Sequence, residues 1–228
     1  MGTSGFMRGL YSFSVWAVKF VSLNALWLIM NIPIVFLVLN VLAAKKADHL
    51  LINMMTIVLL IPFILFPSIT AMFGIVRQWI MGNTEIKILS SFWKYYRENY
   101  RRSLLGGLII APLTAILMID YFYFAGANSP LFYIFLFVGV FIFVFVMHFF
   151  SNTVHVDLKF STTLRNSFLL SVGSPVYTIG IAASSFIIIY LSMKIVSVFI
   201  FLGLGSCIAY CSFYLYYKSQ SKMLEQKS

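Results

Sequence analysis

An all-α, polytopic membrane bundle of about six transmembrane helices, with both termini cytoplasmic, follows from three observations on the sequence. Of its 228 residues 61% are hydrophobic and only 10% charged, where a soluble domain is about a quarter charged. No formal charge occurs in 20–44, 49–76, 121–156, 166–193 or 195–217. A crossing takes about 20 mostly apolar residues, so these runs hold five spans, and a sixth fits between Arg102 and Asp120 with room to extend to Phe124. Placing the loops alternately on two sides gathers 13 of the 16 Lys and Arg on the side of the termini, leaving Lys45, Lys46 and Lys194 opposite. The side richer in cations is the cytoplasmic one. The net charge of +10 therefore reports orientation and not nucleic-acid binding.

The whole chain, 1–228, reads as a single integral membrane domain. It opens on an interfacial helix over 1–19, in which Phe6, Leu10, Phe13 and Ala17 recur at helical spacing. The first span, about Phe20–Leu42, carries Asn24 and Asn31 seven residues apart, on one face, with Pro33 beyond. Amides inside a span usually tie helices together; here they are also candidate solute contacts. AAKKADH is an external turn. The second span, from about Leu50 to Arg77, contains Pro62 and Pro67, each removing a backbone donor, so a kink or local break is expected.

Residues 77–102, RQWIMGNTEIKILSSFWKYYRENYRR, hold the densest mixture of cations and rings. Leu89, Phe92, Trp93, Tyr96 and Tyr100 share one helical face while Lys94, Arg97, Glu98, Arg101 and Arg102 turn the other way. That pattern predicts a cytoplasmic surface helix within 82–103 lying among the headgroups, rings inward and cations toward anionic phosphates. Gly106, Gly107 and Pro112 open the third span, and Asp120 sits at its outer end among Tyr121 and Tyr123, where aromatic belts mark headgroup depth. AGANSP turns the chain into a Phe-rich fourth span, about Leu131–Phe150. A second surface helix is expected over 159–172, with Phe160, Leu164 and Phe168 in register, entering the fifth span through Gly173–Pro175. The order of surface helix then Gly/Pro entry occurs twice, a hint of an internal repeat. The last span, Val196–Tyr217, carries Gly203, Cys207 and Cys211 as a small-residue stripe, and 218–228 is a polar tail.

No catalytic, cofactor-binding or metal-ligating set emerges. Six acids and three histidines are too few and too peripheral to furnish an acid, base and nucleophile in one pocket. Phosphate loops, nucleophile elbows and HExxH are absent from the sequence. His148, His155 and Asp157 invite a metal reading, but two turns separate the histidines and a third element would have to fold in. The segment ENYRRSLLGG does not carry the alanines and glycine of the permease loop that docks on a transport ATPase.

GFMRGLYSFSVW, PSITAMFGIVRQW and FWKYYRENYRRSLLGG together resemble the YesL-like family of bacterial membrane proteins, a domain of unknown function, most strongly from Gly5 to Gly107. Family members are encoded beside carbohydrate ABC uptake systems. The resemblance thus implies a non-enzymatic plasma-membrane protein accessory to sugar import, with ABC transporter subunits and anionic lipid headgroups as partners. The contact expected to carry docking comprises Arg77, Trp79, Trp93, Arg97, Asn99, Arg101 and Arg102. The same basic helix would otherwise serve as a lipid anchor, each cation gaining about 1 kcal/mol near anionic lipid. Two other readings stand beside it: a small transporter or channel with a path at the Pro62–Pro67 break lined by Asn24 or Asn31, and a lipid-binding scaffold.

Overall fold

The structure, a computed structural model, describes residues 2–44, 47–127, 129–194 and 199–225. The expected external turn at Lys45–Lys46, Asn128 of the AGANSP turn, the start of the last span and the end of the tail lie outside the described residues. Every regular element among those described is helical: α1 (Gly2–Met30), α2 (Ile32–Ala43), α3 (Ala47–Leu60), a π-helical turn (Ile61–Leu65), α4 (Phe66–Ile80), α5 (Ile88–Gly126), α6 (Phe132–His155), α7 (Phe160–Gly173), α8 (Pro175–Lys194), α9 (Phe199–Leu202) and α10 (Leu204–Glu225). Five helical stretches are long and apolar enough to cross a membrane: Met7–Met30, Asp48–Ile80, Ile88–Gly126, Phe132–His155 and Pro175–Lys194.

The helix boundaries differ from the sequence reading in ways that proline and glycine chemistry explains. α1 runs unbroken through Lys19, and the interruption falls at Asn31 instead. Pro33 stands at the start of α2, where its ring excludes the carbonyl four residues back and its nitrogen offers no proton. The prolines of the second span do not stop the helix. Pro62 is absorbed by the π turn and Pro67 by the first turn of α4, so the chain stays helical from Ala47 to Ile80 with a local change of pitch. α5 is one helix of 39 residues, about 58 Å long at 1.5 Å per residue. The surface helix and third span expected as separate pieces are therefore fused. By contrast α7 and α8 are separated at Ser174, whose φ of −124° and ψ of 63° leave the helical region ahead of Pro175. The two halves of the suspected repeat are thus built differently.

α4 is the central element. Apart from Ile69, every residue from Phe66 to Val76 is buried, the signature of a helix enclosed on all sides, and α1, α5, α6 and α10 surround it. Its packing depends on glycines. A Cβ on Gly74 would lie 2.5 Å from Tyr95 Cγ, and one on Gly107 would lie 2.6 Å from the backbone Cα of Pro62; small residues allow this close approach between membrane helices. Phe73, Phe92, Phe149, Phe150, Phe213 and Tyr216 fill the core around it. Most large apolar side chains of α1, α2, α3 and the second half of α5 remain exposed. In water such a surface would aggregate; in lipid it is the ordinary outer face of a span.

The last helix is also broken. α9 ends at Leu202, Gly203 makes a turn, and α10 begins at Leu204, so the stripe of Gly203, Cys207 and Cys211 starts at an interruption. Beyond Tyr217 the chain continues as helix to Glu225. Ser219 is buried and donates to Ser174 Oγ at 3.1 Å, and Met223 packs on the core, which holds the described part of the polar tail against the bundle.

Candidate functional site

The polar residues singled out inside the spans separate into two braces. Asn31 Nδ2 donates to Trp27 O at 2.7 Å and to Ser68 Oγ at 2.8 Å, and Ser68 Oγ donates to Leu65 O at 2.9 Å. The break before α2 is thereby tied to the end of the π turn, so Asn31 and the Pro62–Pro67 segment are brought together. Tyr96 Oη, from α5, donates to Phe63 O at 3.4 Å, supplying a donor to a carbonyl within the irregular turn, as non-helical backbone at membrane depth requires. Asn24 goes elsewhere. Its Nδ2 donates to Phe201 O at 2.6 Å and its Oδ1 accepts from the backbone N–H groups of Gly205 and Ser206 at 3.1 and 3.3 Å. It caps both sides of the Gly203 interruption at once. Asn24 therefore satisfies backbone on both sides of Gly203, whereas Asn31 adds a second donor to Trp27 O, which already accepts from the Asn31 N–H at 3.1 Å, and ties it to Ser68. Pro62 and Pro67 are themselves buried, and Gly107 packs directly on Pro62.

The residues expected to form one docking contact are dispersed by the fold. Trp79 is 3% exposed, its ring meeting Trp16 and Phe20 edge-on at 5.7 and 5.6 Å. Burial removes it from any partner. The sequence could not show this, because the cluster is completed by α1 and by Tyr210 of α10. Asn99 is half-buried, bonded to Tyr95 O, and its own carbonyl accepts from Ser103 Oγ. Arg102 pairs with Asp157 just past α6. Arg77 is half-buried at the end of α4, near His155 and Tyr216.

What remains on the surface is one flank of α5. Trp93 is 42% exposed, Arg97 and Arg101 are exposed, and the Arg97 guanidinium lies 5.9 Å from the Trp93 ring centre. Trp93, Tyr96 and Tyr100 form a ladder at 5.7 and 5.6 Å. Lys94 adds a cation one residue on, facing Glu98 at 4.0 Å. The opposite flank is locked to the bundle: Phe92 is fully enclosed, Tyr95 lies on Gly74 and accepts from Gln78 Nε2 at 2.7 Å, and Ser103 Oγ lies in hydrogen-bonding contact with Thr70 Oγ1 at 2.7 Å. Of the rings predicted to enter lipid, Phe92 thus enters protein instead, while Trp93, Tyr96 and Tyr100 stay on the outer flank.

Among the described residues no group of three or more His, Cys, Asp or Glu is placed to hold a metal ion. Asp157 turns to Arg102, and the His155 ring lies against Phe213, Tyr216 and Tyr217.

Residues 20–121 match the family described as "Protein of unknown function, DUF624". YesL of Bacillus subtilis (strain 168), described as uncharacterized, is 26% identical over 179 residues, covering 78% of this chain and 74% of that protein. The chain is YesL-like. The uncharacterized YteU of the same organism is 28% identical over 159 residues, 68% of this chain and 71% of that protein. The uncharacterized YesV is 27% identical over 116 residues, 49% of this chain and 56% of that protein. No solved structure matches the chain. The DUF624 match runs from the second half of α1 to near the end of α5. It takes in the Asn31–Ser68 brace and the basic flank, and leaves GFMRGLYSFSVW outside.

Proposed function

We propose that this is a non-enzymatic protein of the bacterial plasma membrane, accessory to a carbohydrate ABC uptake system, which it contacts through the exposed flank of α5 on the cytoplasmic side. The observation that carries the reading is the length and two-sidedness of α5. Its 39 residues reach about 58 Å, nearly twice the hydrocarbon thickness of about 30 Å. The first turns stand outside the lipid, with Phe92, Tyr95 and Ser103 holding one side rigidly and Trp93, Arg97 and Arg101 offered on the other. An aromatic ring beside an arginine, on a rigid element, is the composition of an interface anchor. A helix that only anchored to lipid would turn its rings to the bilayer, yet Phe92 and Tyr95 are turned to α4 and the core.

The sugar-importer partner comes from the family resemblance. The test is affinity purification of the wild-type chain from its own membranes at native expression, beside a Trp93→Ala/Arg97→Ala/Arg101→Ala variant. Importer subunits are expected with the wild type and lost from the variant. Their absence from the wild-type preparation contradicts the reading.

A further inference from the structure

Among the described residues nine buried side-chain nitrogen and oxygen atoms have no partner, and three of them, His155 Nδ1 and both ring nitrogens of His148, belong to rings beside Tyr216. A fourth, Arg77 Nε, lies on α4 one turn beyond Phe73, whose ring meets Phe150 of α6 at 5.6 Å. The rings of His155 and His148 lie 5.7 and 6.1 Å from the ring of Tyr216, and the Arg77 charge is near enough to act on His155 and on Tyr216. A fifth such atom, Ser212 Oγ, is one turn before Tyr216 on α10. Buried polar atoms are nearly always paired, so a group of unpaired ones in one place calls for a partner that the chain itself does not supply.

The chemistry of that partner follows from what is already committed there. Tyr216 Oη donates to Asn152 Oδ1 at 2.8 Å, and Asn152 Nδ2 donates to Ser167 Oγ at 3.0 Å, which closes the floor of the site. Arg77 is a permanent cation with donors only. Neither of the ion pairs between described residues, Lys94–Glu98 and Arg102–Asp157, involves it. A metal cation would be repelled, and an apolar molecule would leave the donors unmet. An arginine that merely reaches for headgroup depth keeps its whole guanidinium in water, whereas Nε here is buried. Both Arg77 and His155 are half-buried at the ends of their helices, so part of each side chain reaches the surface at the basic end of the bundle.

We propose that Arg77 and His155 together bind one phosphate oxyanion over the Tyr216–Asn152 floor, presented either by a phospholipid headgroup or by a soluble phosphate or phosphate monoester. Arginine is suited to this acceptor because its fork matches two phosphate oxygens.

The experiment uses the full chain purified in neutral detergent micelles and has two arms. In one, thermal unfolding is followed while inorganic phosphate or glycerol 3-phosphate is titrated; in the other, phosphatidylglycerol is added in mixed micelles and its retention is counted by native mass spectrometry. Saturable stabilisation is expected in at least one arm. A response to the soluble phosphates assigns a free anion, and a response to the lipid alone assigns a headgroup. Arg77→Met is expected to abolish the response, Arg77→Lys and His155→Gln to weaken it by about tenfold, and Arg97→Met to leave it intact. Lys222 serves as a control because it lines a separate cleft of about 210 Å³ between 173–177 and 219–223. Lys222→Met is expected to leave the response unchanged. The proposal is overturned if the wild type responds to neither probe, if Arg77→Met and His155→Gln respond like the wild type, or if Lys222→Met alone removes the response. Should Arg77→Met fail to fold, His155→Gln decides.

Discussion

Asn24 shows how a single side chain can hold a membrane helix that its sequence would break. Three hydrogen bonds join it to backbone on either side of Gly203, at a separation of some 180 residues along the chain. Interhelical bonds in membranes average about 0.6 kcal/mol each. Asn24→Leu is therefore expected to cost about 2 kcal/mol in thermal or denaturant unfolding in micelles. Asn40→Leu, whose amide bonds only to Phe36 O within its own helix, should change stability by less than about 0.5 kcal/mol. Equal effects would show that the Asn24 cap is not what holds the interruption. Glycines divide in the same way. Gly107→Val sets a branched side chain against the Pro62 backbone, which cannot move aside, and overpacking of this kind costs about 1–3 kcal/mol or more. Gly9 has nothing within 4 Å of an added Cβ, so Gly9→Ala should stabilise α1 by up to about 1 kcal/mol, measured in the same unfolding assay. The two amides were visible in the sequence as helix ties, because polar groups in apolar runs need partners. Which backbone each would serve was not, because the Gly203 interruption and the π turn arise only when distant helices meet.

At the scale of an element, α5 is where the sequence reading and the fold part most. The periodicity of rings and cations was legible, and Trp93, Tyr96 and Tyr100 do share a flank. The helix was expected to stop before Gly106 and Gly107, which often end helices in water. In an apolar bundle glycines and prolines are tolerated within spans, and these two are used for contact with Phe149 and Pro62. Ser174–Pro175 did interrupt the chain, since a residue before proline is driven from helical geometry. The burial of Trp79 and Phe92 was illegible for a different reason: a ring facing lipid and a ring facing another helix have the same period. Thiol labelling separates the two outcomes. In a Cys207→Ser/Cys211→Ser background, Arg97→Cys and Arg101→Cys should react rapidly with a water-soluble maleimide, while Phe92→Cys and Ser103→Cys should stay unreactive until the protein is unfolded. Rapid reaction at 92 and 103 would mean that α5 stands off α4.

For the whole molecule, five helical stretches suited to crossing a membrane and a lipid-like exposed surface agree with the composition, which fixes fold class without fixing the register of the spans. The basic residues of α5, the Asp157 partner of Arg102, the buried Ser174–Ser219 pair and the Arg77–His155 cluster all gather at one end of the bundle. Docking through α5 requires that this end face the cytoplasm. Labelling of single-cysteine variants in intact cells with a membrane-impermeant thiol reagent, in the Cys207→Ser/Cys211→Ser background, tests that requirement most directly. Asp48→Cys, at the start of α3 on the opposite side, is expected to react from outside, and Arg97→Cys only after the membrane is permeabilised. Reaction of Arg97→Cys in intact cells would contradict the orientation and, with it, docking through α5.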